Sequence, residues 1–261
     1  MKTLKATMTM YRTAFVHAAR ATGRSLWAAW FLLATFLILH FAAQFLGIAG
    51  LVGGFALALI HAVLVGTYLA LLEETVNATS RHLRVDDLHG NMGRYFNEVI
   101  FVLFIFFLAE LPLVLIAPLR PALLVLIPAA TIAFNPVPEM IYLSRSEPGL
   151  PVLRASMRFV SNNWPEWFGA HMLLWFPVLA LGLAGWLHPM EAVDAMGWFG
   201  PFFSIVESGI LALKVLGTGV AGCTVFGLLF MFSHFFMLFR GYLFKELNTS
   251  SRRSRAWQDR F

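Results

Sequence analysis

Apolar residues in this chain run together rather than recurring with the period of a half-buried helix or strand. Six nearly continuous apolar stretches lie near 25–46, 50–72, 99–119, 121–143, 166–187 and 215–240. Each is about 20 residues long, enough for a helix to cross a hydrocarbon core. The pattern predicts an all-α polytopic membrane protein with six transmembrane helices arranged as three hairpins. A Gly-rich turn around Gly47–Gly54 joins the first pair, and Pro118 and Pro121 force a sharp turn in the second. The third pair is separated by 188–214, where G-W-F-G-P-F-F at Gly197–Phe203 suits a headgroup layer.

Amphipathic patterning is confined to the connections. Leu4, Met8, Tyr11 and Phe15 recur at helical spacing with Lys5 and Arg12 off their stripe, which predicts a helix lying on the membrane surface. A cleavable signal peptide fits poorly, because Ser25–Leu46 is too long and lacks a small-residue cleavage site. Similar surface helices are expected before the third span, with Leu88, Met92 and Tyr95, and before the fifth, with Leu150, Leu153, Met157, Val160 and Trp164. The domain plan is a surface helix over 1–24, a six-span domain over 25–246 and a basic cytoplasmic tail over 247–261.

Composition and charge sharpen this reading. Of 261 residues, 59% are hydrophobic and only 13% are charged, against about 25% in soluble domains. If the N-terminus is cytoplasmic, the inside segments 1–24, 73–98, 144–165 and the C-terminal end carry five, three, three and six of the 19 Lys and Arg. Only Arg120 and Lys214 fall outside. The asymmetry predicts that both termini are cytoplasmic. A pI near 9.7 does not point to nucleic acid, since the basic residues cluster at the ends of apolar runs and not on one face. The single Cys223 lies in an apolar span and offers neither a disulfide framework nor a thiolate metal site.

Polar groups at membrane depth are costly and therefore informative. The fourth span contains F-N-P-V-P-E-M-I-Y-L at Phe134–Leu143. Pro136 and Pro138 break the helix and free the carbonyls of Ile132 and Phe134, which Asn135 is placed to satisfy. Two polar groupings are expected. Glu110 near mid-membrane would meet His61 and His40, with Gln44 as companion. Nearer the cytoplasmic surface, Glu139 and Asn135 would meet His171 and His234. Glu139 lies three residues before Tyr142, close enough to the interface to snorkel toward water or pair with one of these His or a nearby Arg. Such groups can act as polar glue between helices, carry protons or ions, or hold a metal. No H-x-x-x-H or E-x-x-H spacing supports the last.

An internal threefold pattern is also present. The even spans end through Tyr68-Leu69, Tyr142-Leu143 and Tyr242-Leu243, followed within five residues by Glu73, Glu147 and Glu246. Each unit would be a surface helix and a hairpin; spans ending at an interface also show Tyr followed by charge for that reason alone. In the third unit, V-L-R-A-S-M-R-F-V-S-N-N-W at Val152–Trp164, following the Pro-containing fourth span, resembles several uncharacterised six-helix bacterial membrane families. These include the membrane domain fused to some glycerophosphodiester phosphodiesterases. The resemblance implies a six-span topology and the bacterial inner (cytoplasmic) membrane. It implies no activity, because the chain has no phosphodiesterase segment.

No catalytic set emerges. Glu73-Glu74 with Phe230-x-x-x-His234 is similar to elements of the membrane-embedded CAAX-type proteases, but Ala78 stands where that pattern requires Arg. A G-x-S-x-G elbow and a Walker loop are absent from the sequence. The leading expectation is a non-enzymatic subunit or scaffold of a membrane assembly, with no cofactor or metal. Its partners would be membrane lipids and other membrane proteins, with no nucleic acid; the 26 Phe suit such contacts. The alternatives are a small transporter or permease component built on the broken fourth span, and a membrane-embedded enzyme.

Overall fold

Helices account for all regular structure in the residues that the computed structural model describes, 2–77, 85–116, 118, 120–144, 149–181 and 219–249. They are α1 (Lys2–Arg24), α2 (Leu26–Leu46), α3 (Gly50–Asn77), α4 (Asp87–Asn91), α5 (Phe96–Leu115), α6 (Arg120–Ala133), α7 (Val137–Tyr142), α8 (Leu150–Leu181) and α9 (Val220–Thr249). The chain is all-α, as the apolar runs predict. Among the described residues, two helical stretches, Leu26–Ala49 and Val52–Asn77, are long and apolar enough to cross a membrane, and Phe96–Ala109 of α5 is a shorter apolar helix. The loop 188–214, the tail beyond Thr249 with Trp257, and Glu147 lie outside the described residues.

The hairpin between α2 and α3 is made by glycines. Gly50 has φ +56°, and a β-carbon on Gly53 would run into the carbonyl of Leu46. From this turn, α2 and α3 project as an apolar arm whose side chains face outward. Phe41, Phe45, Ile48, Val52 and Phe55 are all exposed, and so are Phe101, Phe104, Phe107 and Leu108 on α5. Packing concentrates at the other end, where Tyr68–Leu72, Val137–Tyr142 and Phe236–Phe244 form one core with α1 and the start of α8.

Three helices outrun a bilayer. At about 1.5 Å per residue, α3, α8 and α9 are about 42, 48 and 45 Å long, against a hydrocarbon core of about 30 Å. The excess is what builds the dense end of the bundle. Helix α8 accordingly runs without interruption through Pro165, where the sequence suggested a surface helix followed by a separate span. Near that proline, Asn163 donates back to the carbonyl of Phe159, and Trp167 is buried on the inward face.

Helix α1 forms as expected but packs differently. Its buried apolar residues are Ala14, Ala18 and Ala21, on a helix packed against α9, while Met8 and Phe15 of the anticipated stripe are exposed. Small side chains let the two backbones approach, a signal that a hydrophobic stripe does not capture. Phe15 meets Phe235 edge-on at 5.1 Å and His17 stacks on Tyr242 at 5.5 Å. The hydroxyl of Tyr11 donates to the carbonyl of Glu166 at 2.6 Å, strapping α1 to α8. Burial and the nearby Glu166 carboxylate push the Tyr11 phenol up to about 12, so it remains a donor across the physiological range.

The tyrosines expected to end the even spans meet in the core. Tyr68, Tyr142 and Tyr242 are 2%, 0% and 8% exposed, and the Tyr142 phenol lies within electrostatic reach of the other two. Gly241 makes room for this junction, since a methyl there would sit 2.6 Å from the Tyr142 hydroxyl and 3.0 Å from Val76 Cγ2. Gly241→Ala is therefore expected to lose about 1–3 kcal/mol by overpacking, more than the roughly 1 kcal/mol gained in helix propensity. Unfolding in mixed detergent–SDS micelles reads this difference; unchanged stability would show that the junction relaxes around a methyl.

Candidate functional site

The break in the predicted fourth span organises a buried polar site. Helix α6 ends at Ala133, the chain turns through Phe134–Pro136, and α7 starts with Pro138 in its first turn, where a missing N–H costs nothing. The turn is closed by Val137 donating to the Phe134 carbonyl at 3.0 Å. The Ala133 carbonyl accepts from the Ser156 hydroxyl at 2.9 Å, and the Asn135 carbonyl from Arg240 Nη2 at 2.6 Å. Side chains of α8 and α9 thus satisfy the carbonyls of the break. The Asn135 side chain does not turn back on its own helix as the sequence suggested; its Oδ1 accepts from the Trp167 indole at 2.9 Å.

Arg240 is the hub of this site. Its Nε and Nη2 donate to Glu139 Oε1 and Oε2, both at 2.8 Å, and neither side chain has any solvent exposure. The guanidinium carbon stands 5.5 Å from the centroid of the Trp167 ring. Trp167 also packs on Phe159 and His171, with ring centroids 5.3 and 4.6 Å away. A fork-on-fork pair of this kind has the geometry needed to offset the desolvation of two buried charges. Of the alternatives expected for Glu139, the structure shows pairing with a nearby Arg and not snorkelling to water: the carboxylate is sealed inside because Arg240 reaches it there. Arg240 was visible in the sequence only as a topology-fixing charge. Apolar residues on both sides of it, F-F-M-L-F-R-G-Y-L-F, were the signal that it lies inside the bundle and not at its rim.

His171 belongs to this site and His234 to a neighbouring one, so the predicted cytoplasmic-side grouping divides in two. His171 Nδ1 is 2.6 Å from the Trp167 carbonyl and donates to it, which leaves Nε2 as the open ring nitrogen. Three polar atoms of the site have no hydrogen-bond partner among the described residues: Arg240 Nη1, the Tyr142 hydroxyl and His171 Nε2.

His234 lies between Ser25 and Tyr68, with its Nε2 2.8 Å from Ser25 Oγ and its Nδ1 3.0 Å from the Tyr68 hydroxyl. Bond directions show what this trio does. Ser25 Oγ donates to the Ala21 carbonyl at 2.8 Å, so it accepts from His234 Nε2–H, and Nδ1 accepts from Tyr68. In a nucleophilic Ser–His pair, the serine proton points at the imidazole. Here it points at a backbone carbonyl, and the trio ties the α1–α2 junction to α3 and α9.

The remaining candidates behave individually. His40 is exposed and bonds Gln44 within α2 at 3.0 Å. His61 is half-buried on α3, and the side chain of Glu110 on α5 lies outside the described residues. Glu73, weighed above as a protease element, accepts from Tyr95 at 2.7 Å and pairs with Arg94 at 3.2 Å, fastening the α4–α5 turn to α3. Its neighbour Glu74 accepts from Asn91 at 3.0 Å. No group of three or more His, Cys, Asp or Glu suited to a metal ion occurs among the described residues. No protein-family model, curated protein or solved structure matches this chain.

Proposed function

We propose that this chain is a six-span protein of the bacterial inner membrane, both termini cytoplasmic, that serves as a non-enzymatic structural subunit of a membrane assembly. The observation that carries the reading is the direction in which the two kinds of side chain face. Among the described residues, buried polar side chains bond one another in the Glu139–Arg240–Asn135–Trp167 site and the Ser25–His234–Tyr68 trio. Large apolar side chains such as Trp30, Phe45, Phe55, Phe101 and Phe107 face outward in numbers that water does not tolerate. A rigid bundle with an apolar exterior is suited to lateral contact with lipid and with other spans. The division of basic residues supports the cytoplasmic placement of both termini.

Gentle extraction from native membranes, followed by mass spectrometry of co-purifying proteins, lipids and metals, tests this. The expected result is one or more membrane proteins in fixed ratio to the chain. Recovery as a lone monomer at every detergent-to-protein ratio overturns the reading.

A transporter component is the second reading. The division of the fourth span into α6 and α7, with Arg240 Nη1, the Tyr142 hydroxyl and His171 Nε2 unpartnered beside the break, favours it. It requires Glu110→Gln or Asn135→Ala to abolish uptake at unchanged protein level. Uptake unaltered in both variants removes it.

A further inference from the structure

A second regularity lies on the outer faces of α1, of the α4 region and of the start of α8. Three exposed triplets share the spacing i, i+4, i+7, with an apolar residue at each end and a basic residue between them. They are Met8–Arg12–Phe15 on α1, Val85–His89–Met92 around α4, and Leu150–Arg154–Met157 at the start of α8. The apolar members are 54% and 48%, 67% and 67%, and 57% and 45% exposed. On α8 the series continues through exposed Ser161 to Trp164, seven residues beyond Met157 and 59% exposed, with Arg158 exposed beside it. The opposite face of that helix is buried through Val152, Leu153, Ser156, Phe159 and Asn163. Apart from Phe15, which meets Phe235, these outer residues stand away from the core, and their apolar ends are unfavourable in water.

From this arrangement we infer that the three triplets dock on the anionic headgroups of the cytoplasmic leaflet, with the α8 strip as the strongest of the three. On α1 and α8, spacing of i, i+4, i+7 places the three side chains on one line along the helix, while Val85 and Met92 flank the five-residue α4. The apolar ends then enter the acyl boundary while the basic group between them stays at phosphate level. Trp164 completes the α8 strip, since an indole partitions to that same layer. Charge complementarity selects the occupant. Arg12, Arg154 and Arg158 are exposed, and no acidic residue stands between Met8 and Phe15 or on the 150–164 strip. The middle triplet is the weak member, because Asp86 and Asp87 lie between Val85 and His89. The inference rests on the membrane reading above and adds a lipid preference to it.

The test uses the full chain purified in neutral detergent, to which phosphatidylglycerol or phosphatidylcholine is added in increasing amounts, with retained lipids counted by native mass spectrometry. The wild-type chain is expected to retain phosphatidylglycerol preferentially, and Arg154→Gln/Arg158→Gln should weaken that retention about fivefold for each charge removed. Trp164→Ser should weaken retention of both lipids. The thermal transition of each variant in detergent should match the wild type, because these residues face outward; a lowered transition would itself show them to be core residues and overturn the proposal. Equal retention of the two lipids, or a preference unchanged in the double variant, also overturns it. So does the loss of a co-purifying protein in place of lipid. A chain that stays in solution without detergent and holds no lipid would instead defeat the membrane reading.

Discussion

Arg240→Met is expected to cost this bundle about 3–5 kcal/mol, because it leaves the Glu139 carboxylate buried and unpaired. Glu139 has no exposure and Arg240 supplies both hydrogen bonds to its oxygens, so the isolated charge must be protonated or the α7–α9 contact must open. Removal of the guanidinium also orphans the Asn135 carbonyl, exposing the weak point of a proline-broken span. The double variant Glu139→Leu/Arg240→Met should recover much of the loss, since apolar replacement of both members of a buried pair is often neutral or stabilising. Equilibrium unfolding in mixed detergent–SDS micelles compares the three proteins. A double variant as unstable as the single one would place the cost in the Asn135 carbonyl rather than in the carboxylate.

The second large effect is expected at Trp167. This indole is fully buried, donates to Asn135, lies beneath the Arg240 guanidinium and accepts His171 against its ring and its carbonyl. Trp167→Ala should cost about 3–5 kcal/mol through the cavity alone. Trp167→Phe separates the contributions, because it keeps most of the packing and deletes the N–H. It should cost about 1–3 kcal/mol, the penalty for leaving the buried Asn135 Oδ1 without a donor. Combining Trp167→Phe with Asn135→Leu should return part of that loss. Additive losses in the combined variant would mean that the indole acts through packing only.

The break between α6 and α7 was legible because proline acts locally: Pro136 and Pro138 remove two N–H groups whatever surrounds them. The all-helical class and the Gly-rich hairpin were legible for the same reason, each being set by neighbours in the sequence. The partners of the break were not. Glu139 and Arg240 are 101 residues apart, and a positive charge near a span end carries the same sequence signature whether it faces the cytoplasm or a buried carboxylate. Likewise, His171 and His234 looked equivalent as imidazoles near one surface, yet each is claimed by a different helix junction. The packed face of α1 was hidden by its composition. Alanines score weakly on a hydropathy scale, and their value lies in the backbone approach that they permit.

The straps on α1 also set an order of events during synthesis. Ser25 bonds to His234, 209 residues later, and Tyr11 bonds to Glu166, 155 residues later. At about 5–20 residues per second, roughly 10–40 s separate the emergence of Ser25 from that of its partner. For that interval Ala14, Ala18 and Ala21 have no α9 to pack on, and the first helix made is among the last to find its place. The α1 face closes only when α9 arrives, so a ribosome stalled before α9 leaves Ala14, Ala18 and Ala21 uncovered.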